Sequence, residues 1–205
     1  MVGYSAIVLA AGASTRMGTC KAGLPWLNGK TLLSYQVEQL QMAGMTPIVV
    51  LGTHNCDRQR DCPPETQILI NPCSANGKVS SIQIGLQHLP PSLSGLLISA
   101  VDQPRPNWIY RSLIQAHLTS NALMIAPTHQ GKLGHPLLFS ASALSLLDTL
   151  NEETLGLRQI VKMWHTAIQQ VELNTPEILI DLNTPEHYRN SRSREVHRIK
   201  TGCGV

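Results

Sequence analysis

Apolar residues along the chain alternate between two rhythms. Short apolar-rich runs stand at 6–9, 47–51, 67–70, 95–101, 123–126, 137–139, 168–173 and 178–182. Runs of this length, bounded by turn residues, predict buried strands. Between them apolar positions recur at helical spacing. Leu32, Leu33, Val37, Leu40 and Ala43 mark a helix over 31–44 that Gly44 closes. Ile82, Ile84, Leu86 and Leu89 mark a second over 80–89, and Asn107 stands as the cap of a third that runs to 118. Helical stretches follow at 141–150 and 155–164, and Thr184-Pro185 starts a short helix with Thr as its cap. The segment 53–62 has no clear rhythm, and Pro63-Pro64 ends it. This alternation predicts an α/β fold: a mostly parallel central sheet with helices on both faces, three layers in all. Ligands of such folds gather at the carboxyl ends of the strands.

The loops past the strand ends therefore carry the chemistry. After Leu9 the first strand empties into Ala10, Ala11, Gly12, Ala13 and Ser14, followed by Arg16, Gly18 and Lys21. Small residues let a ligand approach main-chain N–H groups, which can form an anion-binding nest. Arg16 and Lys21 add charge, so a phosphate chain fits the pattern. The plainer reading is a polar turn with two surface cations. Ala11 and Ser14 break the dinucleotide fingerprint, and no Gly-Lys-Ser/Thr closes a Walker loop.

Three further loops join it. Asn71, Ser80 and Ser81 are short polar groups suited to a ribose or a base edge, although Ser80 alone reads equally well as a helix cap. Asp102 follows the strand at 95–101, and Gln103-Pro104 turns the chain away. A carboxylate there is a natural Mg²⁺ ligand, since Mg²⁺ takes one or two carboxylates plus phosphate oxygens; capping a turn is its ordinary alternative. Asp181 and Asn183 are hard oxygen donors after the last run, and Asn183 with Thr184 also suits a helix cap.

Composition narrows the classes. The chain has 205 residues, 42% hydrophobic and 14% charged, which fits one folded domain, expected over 1–190. Aromatic residues make up 4%, too few for a platform that stacks single-stranded nucleic acid. Residues 189–205 carry five cations against Glu195, a balance of +4, so the other 188 residues contribute −1 to the total of +3. The basic character thus belongs to a tail, 191–205, expected to be disordered, and not to a nucleic-acid-binding face. The five cysteines form no C-x-x-C pair and read as buried small hydrophobes or free thiols. No apolar run approaches 18 residues and no basic leader precedes the first, so a cytoplasmic protein with no membrane contact is expected.

In order along the chain stand L-A-A-G-x-S-x-R-M-G-x-x-K at 9–21, N-x₅-G-x₂-S-S at 71–81, D-Q-P at 102–104, G-H-P at 134–136 and D-x-N-T-P-E at 181–186. With this ordered set the chain resembles the MobA-like nucleotidyltransferases, most closely the molybdenum cofactor cytidylyltransferase branch. The resemblance covers about residues 5–190 and implies a Rossmann-like nucleotidyltransferase fold. It implies an Mg²⁺-dependent enzyme that moves a nucleoside monophosphate, CMP from CTP, onto the terminal phosphate of a molybdopterin-type acceptor. Pyrophosphate leaves.

By the same resemblance Leu9, Ala10, Ala11 and Gly12 sit against base and ribose. Arg16 and Lys21 hold the triphosphate. Asp102 binds Mg²⁺ with Asp181 or Asn183, and Gly134-His135-Pro136 faces the acceptor; for His135 itself, packing beside Pro136 is the plainer role. A molybdenum hydroxylase is an implied downstream partner. Two departures stand out. Ala22-Gly23 replaces bulky apolar residues and is expected to loosen that loop, and Lys78-Val79 stands where small or thioether residues are usual. Competing readings are an isoprenoid-precursor or sugar-phosphate acceptor, a non-catalytic cofactor-delivery protein, and an oxidoreductase, which lacks its glycine fingerprint.

Overall fold

The computed structural model describes residues 3–151 and 156–200. Eight strands form one sheet: β1 (Tyr4–Leu9), β2 (Met45–Gly52), β3 (Gln67–Asn71), β4 (Gly95–Ala100), β5 (Met124–His129), β6 (Lys132–Leu133), β7 (Leu137–Ser140) and β8 (Ile168–Glu172). Their order is β3-β2-β1-β4-β7-β5-β6, and β8 pairs with β5. Strands β1 to β4 are mutually parallel, as are β5 and β8, while β7 runs antiparallel to both neighbours. From β1 the chain steps outward to β2 and β3, then crosses back to place β4 on the other side of β1. The strand order reverses between β1 and β4, which opens a crevice at their carboxyl ends.

Alternating side chains of each strand serve the two faces. On β1, Tyr4, Ala6 and Val8 enter one apolar cluster, and Ile7 and Leu9 the other. The first cluster is closed by α1 (Leu32–Met42) and α3 (Asn107–Leu118), the second by α2 (Lys78–Leu86), the short α4 (Ser145–Asp148) and α5 (Leu157–Met163). Each fully buried aliphatic side chain contributes about 1.5–3 kcal/mol, so the two clusters together hold the three layers. Thr31 caps α1, its side chain accepting from the Ser34 N–H at 3.2 Å.

Several expectations are corrected. Asn107 does not cap α3; it is the first helical residue, and its backbone and side-chain N–H groups donate to Gln39 Oε1 of α1 at 2.9 and 3.0 Å. The run at 178–182 is not a strand. Thr175 and Pro176 start a 3-10 turn over Pro176–Leu179, and carbonyls beyond it bond to a side chain described below. The helix expected over 141–150 splits into a 3-10 turn, Ala141–Ala143, and α4. Helix α5 begins at Leu157; Leu155 lies outside the described residues.

The stretch read as a frayed tail is helical as far as Lys200, in α6 (Pro185–Lys200). Tyr188 packs on Trp26 and donates to the Pro25 carbonyl, and Arg192 donates to the Trp26 carbonyl at 3.1 Å. Cys203 and the rest of 201–205 lie outside the described residues. Among the described residues no helix is long and apolar enough to cross a membrane.

Candidate active site

The first loop leaves the sheet without losing its hydrogen bonds. The Ala10 N–H donates to the Val50 carbonyl at 2.9 Å, and the Val101 N–H donates to the Leu9 carbonyl at 3.0 Å. Asn55, buried in the segment after β2, fixes the loop from below. Its amide donates to the Ala10 carbonyl at 2.9 Å, and its Oδ1 accepts from the Gly52 N–H at 2.8 Å. Gly12 opens onto free space, and Ser14 takes a left-handed conformation (φ 54°) from which its Oγ accepts from the Lys21 N–H at 3.2 Å. The loop after Lys21 is packed and not loosened: Ala22 is buried, and a Cβ on Gly23 would lie 2.6 Å from Arg58 Nη1.

Four of the residues singled out from sequence meet in one constellation. Lys21 Nζ, almost fully buried, donates to Asp102 Oδ2 at 2.7 Å and to Asn183 Oδ1 at 2.9 Å. Arg16, exposed, donates to the same Asn183 oxygen at 3.4 Å. Asp181 stands beside them, its Oδ1 accepting from Gln103 Nε2 at 2.7 Å. The Leu182 N–H donates to the Asp102 carbonyl at 2.9 Å, which fastens the last loop to the end of β4.

A cavity of about 320 Å³ lies over β1 and β4, walled by Leu9, Ala10, Ala11, Gly12, Ser14, Arg16, Lys21, Ser81, Asp102 and Asn183. A second lobe of about 430 Å³ adjoins it and contains Val79, Ile82, Leu137, His135, Arg158 and Asp181. Both volumes fall in the range of small-ligand sites.

Asn71 and Ser80 do not line either lobe. Asn71 is fully buried; its amide donates to Ser80 Oγ at 2.8 Å and Ser81 Oγ at 2.9 Å, and its Oδ1 accepts from the Cys73 N–H at 2.8 Å. Its polar atoms are used inside the protein, so it braces the loop. Ser80 is not the helix cap either. Gly77 is, at φ 101°, a conformation an L side chain rarely adopts, and Ser80 Oγ donates to the Gly77 carbonyl at 2.9 Å.

One residue escaped the sequence reading. Arg105 is fully buried, and burial lowers its pKa to about 10. Its guanidinium donates to the carbonyls of Pro104 (3.0 Å), His135 (3.3 Å), Ile178 (3.1 Å) and Ile180 (2.8 Å). It thereby ties the Asp102 loop, the Gly134-His135-Pro136 segment and the run before Asp181 into one unit. Gly134 allows the close approach: a Cβ there would lie 2.7 Å from the Ile178 carbonyl oxygen. The peptide bond between His135 and Pro136 is cis. The imidazole of His135 faces the second lobe, and the surrounding protein lowers its pKa. The adjacency of Arg105 to D-Q-P was the one available signal, and its meaning needs the three-dimensional meeting of loops far apart in sequence.

The donor set suits a hard divalent cation that shares its shell with phosphate. It offers the Asp102 carboxylate, the Asn183 amide oxygen and the Asp181 carboxylate. Among the described residues no cluster of three or more His, Cys, Asp or Glu side chains could enclose a metal on its own. Mg²⁺-type sites completed by substrate phosphates and water have this sparse protein contribution.

Comparison with known proteins agrees with this geometry. The model of the MobA-like NTP transferase domain matches residues 6–172. The molybdenum cofactor cytidylyltransferase of Escherichia coli (strain K12) is 26% identical over 201 residues, 95% of this chain and 98% of that one. A probable molybdenum cofactor guanylyltransferase of Rhodopirellula baltica is 34% identical over 100 residues, 48% of this chain and 47% of that one. The Rv0371c protein of Mycobacterium tuberculosis superimposes with a TM-score of 0.78 at 21% identity, covering 94% of this chain and 98% of that one, and it is also known as a manganese complex. The chain belongs to the MobA-like NTP transferase family and is a nucleotidyltransferase related to the molybdenum cofactor cytidylyltransferases.

Proposed function

We propose that the protein transfers CMP from CTP to the terminal phosphate of a molybdopterin-type acceptor, with Mg²⁺ as cofactor and pyrophosphate as the second product. The carrying observation is the meeting of Lys21, Asp102 and Asn183 at 2.7 and 2.9 Å, where the two lobes adjoin. The first lobe takes the nucleotide, with base and ribose against Leu9, Ala10, Ala11 and Gly12. Ser14 and Ser81 add polar groups to its wall. The second takes the acceptor.

An acceptor phosphate oxygen attacks the α-phosphorus in line. The new O–P bond forms as the bond to the β-phosphate bridging oxygen breaks, and the electron pair leaves with pyrophosphate. A phosphate monoester is already largely ionised at pH 7, so the step needs no general base. Lys21 and Arg16 neutralise the triphosphate and hold it aligned, which lowers the barrier through positioning and charge. Asp102, with Asn183 or Asp181, would hold Mg²⁺, which supplies Lewis-acid stabilisation of the phosphoryl oxygens when bound. Asn71, Ser80 and Arg105 shape the walls from behind.

GTP is the second reading for the nucleotide, favoured by the partial match to the probable guanylyltransferase. Thermal denaturation with CTP, GTP, ATP and UTP, each with and without Mg²⁺, decides between them, because ligand binding to the native state raises the melting temperature. The proposal requires a Mg²⁺-dependent shift selective for CTP. A selective shift with GTP would reassign the nucleotide, and no shift with any of the four would sink the reading.

A further inference from the structure

The two lobes share one wall, made of Leu9, Arg16, Lys78, Ala100, Asp102 and Asn183. Beyond it the second lobe has an apolar lining of Val79, Ile82, Ile98 and Leu137, and Arg158 also lines it. Lys78 and Arg158 are both exposed, and none of the ion pairs among the described residues involves either. Both line the same lobe as His135.

Their positions in the chain are unfavourable for stability alone. Lys78 is the first residue of α2, where the helix dipole repels a cation, and no acidic residue stands in that turn to offset it. Arg158 lies in the first turn of α5, again without an acidic neighbour there. Lys78 also shares the wall between the lobes with Arg16, with Asp102 as the acidic residue on it. Attack of a phosphate on a phosphate brings two anions together, and a wall with excess positive charge offsets their repulsion.

Resting on the nucleotidyl-transfer reading above, we propose that Lys78 and Arg158 are the acceptor-binding cations of this enzyme, and that together they select a phosphate monoester carried on a body with an apolar face. Lys78 holds the phosphate where the lobes adjoin, the aliphatic lining takes the body, and Arg158 closes the lobe. Lys78 is one of this chain's departures from its family's usual residues, so the choice of acceptor is written partly in a variable position within the N-x₅-G-x₂-S-S motif.

The test measures acceptor KM, kcat and CTP affinity for the full chain and for Lys78→Met, Arg158→Gln, Arg158→Lys and the double variant Lys78→Met/Arg158→Gln. Two acceptors are used separately, molybdopterin and methylerythritol phosphate. Loss of one charge-assisted contact should raise acceptor KM about tenfold in each neutralising variant. The double variant should rise further, and Arg158→Lys should recover most of the loss. CTP affinity of Arg158→Gln, whose side chain does not line the nucleotide lobe, should stay within about twofold of wild type, a change smaller than any single lost contact. An acceptor KM in the double variant close to the wild-type value would overturn the inference. Wild-type transfer to methylerythritol phosphate alone would instead overturn the molybdopterin reading, and the same KM comparison on that acceptor would still decide the role of the two cations. Absence of transfer to either by the wild-type chain would overturn both.

Discussion

Lys21 is the electrostatic hinge of the site at the scale of single residues. Its amine is almost out of water and bonded to two oxygens, Asp102 Oδ2 and Asn183 Oδ1, each of which the proposed mechanism also needs. Lys21→Ala should weaken CTP binding about tenfold or more in calorimetry, the cost of one charge-assisted phosphate contact. An unchanged affinity would make Lys21 a purely structural counter-ion of Asp102. Asp102→Ala removes the proposed cation ligand, a contribution of several kcal/mol, so turnover should fall about a hundredfold or more. Near-normal turnover in that variant would exclude Asp102 as a metal ligand. The cysteines offer a check of a different kind. Cys62 is pushed up to about 12 by burial, so at pH 8 it is almost wholly the unreactive thiol. Iodoacetamide at that pH should label the exposed Cys56 and Cys73 well before Cys62; early labelling of Cys62, read by mass spectrometry, would show that its surroundings open in solution.

Among the elements, the loops that build the site depend on Arg105 more than on any strand. Arg105→Met keeps the volume but leaves the carbonyls of His135 and Ile180 without their guanidinium donor, while the Ile178 carbonyl keeps only the His135 N–H at 2.9 Å. At about 1–3 kcal/mol for each buried unpaired group, the loss is several kcal/mol and the melting temperature should drop by about 10 °C. Calorimetry that finds no drop would mean that water replaces the guanidinium.

This residue also marks where sequence reading stops. The strands β1, β2, β4 and β5 and helix α1 were legible because apolar period alone sets them, whereas α3 was read from Asn107, which proves to be its first residue and not its cap. The run at 178–182 has the same apolar signature as a strand, yet its carbonyls are taken by a side chain more than 70 positions earlier in the chain, and no local pattern records that. Helix α6 was hidden in the opposite way. Its charges resemble a solvated tail, and the few residues that seat it, Tyr188 and Arg192, gain meaning only against Trp26. Within the site, Arg16, Lys21 and Asp102 stood out past strand ends, and Asp181 and Asn183 stood out after an apolar run that resembles a strand and is not one. Asn71 was visible as a polar group, but sequence does not show the internal partners, Ser80, Ser81 and the Cys73 N–H, that occupy it.

The whole molecule arranges two lobes on either side of one carboxylate. The reversal of strand order between β1 and β4 opens the crevice, and the parallel strands deliver Lys21 and Asp102 to it from opposite sides. The positive helix at the C-terminal end lies on Trp26. The sheet therefore gathers a few charges at the point where, in the proposed reaction, two anionic substrates meet. A metal requirement follows for the proposed reaction: a chelator should abolish transfer, and Mg²⁺ should restore it without refolding the chain.

The most direct measurement follows the label of CTP carried on its α-phosphate during incubation with the protein, Mg²⁺ and molybdopterin. The account predicts that label appears on the pterin product with one equivalent of pyrophosphate released per transfer, and that Asp102→Ala loses both signals together. Pyrophosphate release with no labelled pterin, or label transferred equally well by Asp102→Ala, would contradict it.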